Sequence, residues 1–248
     1  MVPTTQRWTL ALAAICALAG CSREGADSEM AADSTAQAAE PVVATATWDL
    51  RFDDPAADAG GFQMAEQPGG GWTVKTGPAG SAITWKSQDM VEGGAFQAAA
   101  SFEERSAPAD HRESYGLIFG GRNLQAPDHT YTYFLVRASG DYLIKRREGA
   151  NTPTLVDWTA SDAIQKVVNE GDVTQNRLEV RVRPDSTAFV VNGTHVKMLP
   201  TDQVQPYGIA GLRVNHMLDM VVTGFEVQGG YRQSTEPMTD SAGAPLKR

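Results

Sequence analysis

The sequence predicts an all-β chain, a two-sheet antiparallel jelly-roll sandwich with one short helix, and three observations predict it. The stretch 113–147 reads as three strands, ESYGLIFGGR, TYTYFLVRA and DYLIKRR. The last two are separated by little more than Ser139-Gly140, a tight-turn pair that sets neighbouring strands antiparallel. Asn192-Gly193 stands between the apolar runs 188–191 and 195–198, the strongest short hairpin signal a sequence carries. Short runs with turn residues between them recur through 47–230, the pattern of strands that each hide one face and show the other.

In chain order, residues 1–20 read as a lipoprotein signal peptide. Arg7 lies in a short polar start, an apolar run over 8–19 is too short to span a membrane, and small residues precede Cys21. Leu18-Ala19-Gly20-Cys21 resembles the bacterial lipobox position by position. That resemblance implies a lipid anchor, palmitate included, on Cys21, and Ser22 behind it implies sorting to the outer membrane. Residues 21–46 contain almost no large apolar side chain, so they cannot offset their chain entropy and read as a flexible tether. Residues 231–248 read as a disordered tail.

Cys16 lies in the removed segment and Cys21 carries the lipid, so no thiol is left for a disulfide, a metal site or a nucleophile. The core must then come from apolar burial alone, and 47–230 is long enough for one all-β domain. The net charge of −9 and the lack of a basic stripe disfavour nucleic acid. Contact with a membrane is expected only through the Cys21 lipid.

Strand segments are expected at 48–52, 72–74, 82–85 and 94–102, before the central three. In the second of those three, Tyr131, Tyr133, Leu135 and Arg137 share one face while Thr132, Phe134 and Val136 share the other. A longer connection, 148–176, follows. Its one short helix is expected at 161–168 (SDAIQKVV), where Ser161 caps the first amides and Ile164, Val167 and Val168 fall on one face. Next come 177–183, with Leu178, Val180 and Val182 inward, and the Asn192-Gly193 hairpin. The last strands are 208–215, with Ala210, Leu212 and Val214 on one face, and 220–228.

The series YGLIFGGRN, TYTYFLVRASGDYLIKRREG, NRLEVRVRPDSTAFVVNGTHV and GIAGLRVNHMLDMVVTGFEV resembles the concanavalin A-like lectin/glucanase jelly roll. Within it, the bacterial group labelled 3-keto-disaccharide hydrolase is the nearest likeness, over 48–227. The resemblance implies two curved sheets with sugar-binding or catalytic residues, where present, on the concave one. The Glu-x-Asp-x-x-Glu strand of family 16 glycoside hydrolases is absent, and Glu103-Glu104 beside Arg105 lacks its alternating spacing. No catalytic residue is carried across.

If Tyr115, Leu117 and Phe119 face the core, then Ser114, Gly116, Ile118, Gly120 and Arg122 face the concave side, where the glycines leave room for a ring-shaped ligand. The ligand-binding candidates are Arg122, Tyr133, Arg137, Arg146, Arg213 and Asn215, since Arg and Asn offer directed donors and Tyr an apolar face with a polar tip. The competing expectation is a solvated sheet face with ordinary salt bridges. The four histidines show no ligand spacing, and the Asp110-His111 and Asp128-His129 neighbours make poor dyads because adjacent strand residues diverge. No cofactor is expected beyond a structural calcium ion near Asp53, Asp54 and Asp219, where more ligands would be needed. Trp85 and Trp158 are candidate stacking platforms, although an isolated Trp more often belongs to a core.

The function expected is a surface-anchored lipoprotein whose sandwich binds carbohydrate or a cell-envelope glycan without catalysis. A glycoside hydrolase-like enzyme acting on keto-disaccharides, or an envelope protein-interaction domain, are the alternatives. An enzyme requires a cleft where two acids, or an acid and a histidine, face each other. A binding module requires a groove lined by Tyr, Arg and Asn, and an interaction domain an exposed apolar patch.

Overall fold

Alternation of apolar and polar residues resolves into fourteen strands among the described residues of the computed structural model, which are 48–54, 57, 59–105, 111–169 and 171–231. In chain order they are β1 (Asp49–Phe52), β2 (Phe62–Glu66), β3 (Trp72–Thr76), β4 (Ala82–Val91), β5 (Gly93–Arg105), β6 (Ser114–Arg122) and β7 (Thr130–Arg137). Then follow β8 (Asp141–Glu148), β9 (Thr154–Ala160), β10 (Thr174–Val182), β11 (Ser186–Val191), β12 (Thr194–Pro200), a helical turn α1 (Thr201–Val204), β13 (Gly208–Val214) and β14 (Asp219–Tyr231). The signal peptide, Cys21, the tether and residues 232–248 lie outside the described residues.

The strands form two antiparallel sheets of seven, the first in the order β1-β4-β13-β6-β7-β8-β9 and the second β12-β11-β10-β5-β14-β3-β2. This is the two-layer jelly-roll sandwich that the strand rhythm predicts. Between the layers, Tyr115, Leu117 and Phe119 of β6 and Phe134 and Val136 of β7 meet Phe102 of β5, Leu178 and Val180 of β10 and Phe189 of β11. The rings interlock across the gap, with Phe134 and Phe189 at 5.2 Å and Phe102 and Tyr115 at 5.2 Å between centroids. Each such side chain contributes roughly 1.5–3 kcal/mol by leaving water. Asn192 and Gly193 take φ of 50° and 80°, the left-handed pair that a two-residue hairpin turn demands.

Several elements differ from expectation. Residues 161–168 run as turns, because their amides go to tertiary partners: Gln165 N–H donates to Asn176 Oδ1 at 2.8 Å and Val167 N–H to the Ala138 carbonyl at 3.0 Å. The helix is instead α1, a single turn after Pro200 that is too short to carry a periodic signal. The connection 148–176 contains β9, an edge strand whose register against β8 shifts twice, so its apolar residues keep no period of two. Strand β2 was likewise not expected, and β14 continues through Tyr231, the first residue assigned to the tail.

Candidate functional site

The outer face of the first sheet, turned away from the second sheet, is where a ligand was expected. Backbone pairing places Arg213, Gly116 and Leu135 in one row, and Gly211, Ile118 and Tyr133 in the next. Asn215, Ser114 and Arg137 continue the face at one end. Four of the six candidates, Tyr133, Arg137, Arg213 and Asn215, therefore share this side.

The face is nevertheless filled. Ile83, Trp85, Ile118, Tyr131, Tyr133, Leu135 and Leu143 form a second apolar cluster there, each at most 7% exposed. The glycines do not open space: a Cβ on Gly116 would collide with the Phe134 carbonyl oxygen, and one on Gly211 with that of Thr84. They permit close approach of neighbouring strands. Most of the polar groups are matched internally, while Arg213 Nε and Asn215 Oδ1 are buried without a partner among the described residues. Both Arg213 terminal nitrogens bind the Asp53 carboxylate, and Nη1 also donates to Tyr131 Oη at 3.2 Å. The guanidinium lies 5.2 Å from the Tyr133 ring centroid. Burial alone would raise the Asp53 carboxyl, but Arg213, helped by Arg147, outweighs it and holds Asp53 below the usual carboxylate range. Arg137 binds Asp141 at 3.0 Å and covers the Trp158 ring at 4.2 Å, while Asn215 Nδ2 donates to Ser114 Oγ at 3.0 Å. The expected opening on this sheet is thus corrected to a closed surface filled by apolar side chains and neighbouring backbone.

Arg122 and Arg146 stand elsewhere. The register of β6 against β7 passes from Phe119↔Thr132 to Arg122↔Thr130, so one extra residue lies at the bulge around Gly120 and Gly121. That residue reverses the alternation and turns Arg122 to the side of Phe119 rather than that of Ile118. Gly120 makes the bulge possible with φ of +66°, and a Cβ there would strike the Gln205 carbonyl. Arg146 pairs with Thr132 and shares the inward side of Ile144, beyond the end of the packed core.

Both arginines reach a cavity of about 380 Å³ at this end of the sandwich, with Thr130, Asp202, Gln205 and Tyr207 among its walls. Its floor is pinned by buried hydroxyls. Thr132 Oγ1 donates to the Val204 carbonyl at 2.7 Å, Thr201 Oγ1 to that of Arg183 at 2.8 Å, and Thr187 and Thr201 hydroxyls lie 3.0 Å apart. Tyr207 is half-buried, packed on Phe96 at 6.1 Å between centroids. Arg146 Nε lies 2.9 Å from Glu148 Oε1, out of line for a hydrogen bond, and its buried Nη1 has no acceptor among the described residues. A sequence reader could have found the two arginines but not Tyr207 or Asp202, which a separate segment brings to the same place.

A second, open groove of about 420 Å³ lies over Trp85. Its polar groups bond to the protein, as in Ser87 Oγ to Asp49 at 3.0 Å and Gln125 Nε2 to the Leu50 carbonyl at 3.2 Å, and Trp85 is only 3% exposed. The Trp85 ring is therefore core rather than platform.

At the opposite end, alternation along β5 carries Phe96, Ala98, Ala100 and Phe102 inward and then delivers Glu104 to the core, fully buried. Neither of its oxygens has a hydrogen bond among the described residues, and burial pushes its carboxyl up to about 7. His111 Nδ1 is 3.8 Å away. An acid and a histidine thus face each other, but no solvent reaches the carboxylate. Of the carboxylates considered for calcium, Asp53 is bound by Arg213 and Asp219 by Lys75 at 2.8 Å, and no group of three or more His, Cys, Asp or Glu gathers among the described residues. They do not fit a shared ion.

No family model matches the chain, and no curated protein matches its sequence. Solved structures do. The carbohydrate-binding module CBM66 from Bacillus subtilis aligns over 74% of this chain and 96% of its own, with TM-score 0.52 and 13% identity. A family GH16 protein of a Bacteroides ovatus mixed-linkage glucan system, in complex with a product, aligns over 73% and 94% with TM-score 0.49 and 8% identity. A Bacillus subtilis protein of unknown function with a galectin-like fold aligns over 75% and 90% with TM-score 0.48 and 11% identity. At such identities the likeness concerns the fold. The chain has a two-sheet antiparallel jelly-roll sandwich, the fold that the CBM66 module shares.

Proposed function

We propose that this protein is a lipid-anchored saccharide-binding protein of the bacterial cell envelope, held at the outer membrane through Cys21, and that the end cavity is its binding site. The observation that carries this reading is the cavity's composition: a half-buried tyrosine, two guanidinium groups, a carboxylate and a threonine hydroxyl around one preformed space. That is the mixture of one apolar ring face and a few directed polar groups that sugar recognition uses. The fold shared with CBM66, by name a carbohydrate-binding module, supports the same reading.

Binding rather than hydrolysis is favoured because the cavity lining offers one carboxylate, Asp202, whereas glycoside cleavage of the common kind needs two. Glu104, which His111 approaches from the half-buried rim, is itself fully buried and so out of reach of a substrate in this cavity. A glycan array probed with the mature chain should return a saccharide ligand, and Tyr207→Ala should weaken it roughly threefold to tenfold, the worth of one aromatic contact. An array without a ligand, or binding indifferent to Y207A, removes the reading. The anchor has its own test: labelled palmitate should enter the full-length chain, which should fractionate with the outer membrane, and Cys21→Ser should lose both properties.

A further inference from the structure

Resting on the saccharide reading, we infer that the end cavity selects sugars bearing a carboxylate, such as a uronic-acid unit at a chain end. The charge balance points there. Two guanidinium groups, Arg122 and Arg146, line the space against one carboxylate, Asp202, whose Oδ1 already accepts the Gln203 N–H at 2.8 Å. Arg122 is exposed and has no acidic partner among the described residues. Arg146 is held within the wall, its side chain 14% exposed, and its one acidic neighbour, Glu148 at 2.9 Å from Nε, stands outside the cavity lining.

A carboxylate answers a guanidinium with two coplanar oxygens and full charge, where a hydroxyl offers one neutral acceptor. The wall that holds the arginines is stiff. Gly120 lets the 205–206 segment press on the bulge, and the Thr132 bond to Val204 ties α1 to the first sheet, so the donors are placed before a ligand arrives. The remainder of the protein works against anion binding, with net charge −9, so the attraction must be local to this cavity. A volume of about 380 Å³ suits a short end unit rather than a polymer lying across a sheet.

Calorimetric titration of the mature chain with digalacturonate, diglucuronate, their neutral galactose and glucose counterparts, and a sulfated galactose disaccharide tests the inference. An acidic disaccharide should bind at least about tenfold more tightly than its neutral counterpart, and added salt should weaken it. Arg146→Gln and Arg122→Gln should each cost about tenfold or more in acidic binding, and cost neutral binding clearly less, as loss of a charged hydrogen bond implies. Arg122 is exposed, so R122Q keeps the test valid even if R146Q does not fold. Equal binding of acidic and neutral sugars, tighter binding of the sulfated one, or acidic binding untouched by both variants overturns the carboxylate inference and leaves the saccharide reading standing. If none of these probes binds while the array yields another sugar, the inference alone falls. If neither yields a ligand, both fall.

Discussion

Glu104→Gln raises the unfolding free energy at about pH 8 by on the order of 3 kcal/mol and leaves it nearly unchanged at about pH 4. In the fold the carboxyl titrates at about 7, against 4.5 for the exposed group, because burial disfavours its charge. At about 1.4 kcal/mol per tenfold difference in proton affinity, that gap gives the figure. The direction follows from linkage. The folded state holds the proton more tightly, so wild-type stability is full below about 4.5, declines as pH rises, and reaches its reduced level above about 7. Glutamine has no proton to lose and buries a neutral group much as the protonated acid does. Among the described residues, His111 at 3.8 Å and Tyr115 are titratable neighbours of Glu104, and the Tyr115 hydroxyl is pushed further up first by burial and then by the Glu104 charge. Urea denaturation of both proteins across this range measures the effect, and parallel stability profiles would refute the buried, unmatched carboxylate.

Asp53→Asn should destabilise the fold by about 3 kcal/mol, the low end of what breaking a buried pair costs. The asymmetry of exposure sets the size: Arg213 keeps 8% of its side chain in contact with solvent while Asp53 keeps 29%. Removing the carboxylate leaves a cation that cannot reach water, with Arg147 close by on the same carboxylate at 3.8 Å. Taking away the cation as well should restore most of the loss, since an apolar side chain of similar length suits the surrounding Tyr131, Tyr133 and Ile83. Thermal unfolding of D53N and of the D53N/R213M double variant decides it. A single variant within about 0.5 kcal/mol of wild type, the range of ordinary surface changes, would mean that solvent already screens the pair.

These two predictions sit on residues that the sequence alone did not join. Local alternation was legible: Leu178, Val180 and Val182 point inward as their spacing says, and so do Ala210, Leu212 and Val214. The Asn192-Gly193 turn was legible for the same reason, since its backbone requirement is met by two adjacent residues. What failed was anything that depended on counting across an irregularity or on a distant partner. One inserted residue near Gly120 sends Arg122 to the other side of its sheet. Gly116 and Gly120 read as room for a ligand, yet the room is taken by the neighbouring backbone. The Asp53–Arg213 pair joins residues 160 positions apart, beyond any periodic pattern. The two arginines that do line a cavity were named, but on the wrong surface.

The strand order also bears on how the chain can complete itself. In the first sheet β13 is the sole link between β1-β4 and β6 through β9, and in the second β14 is the sole link between β2-β3 and the strands from β5 to β12. Both come last in chain order among the described strands. Until residues from Gly208 onward arrive, four separate fragments of sheet must wait, each with an unpaired edge, for contacts of very long sequence separation. Until then neither layer can be spanned by native pairing, so completion of both sheets falls to the C-terminal pair of strands, β13 and β14.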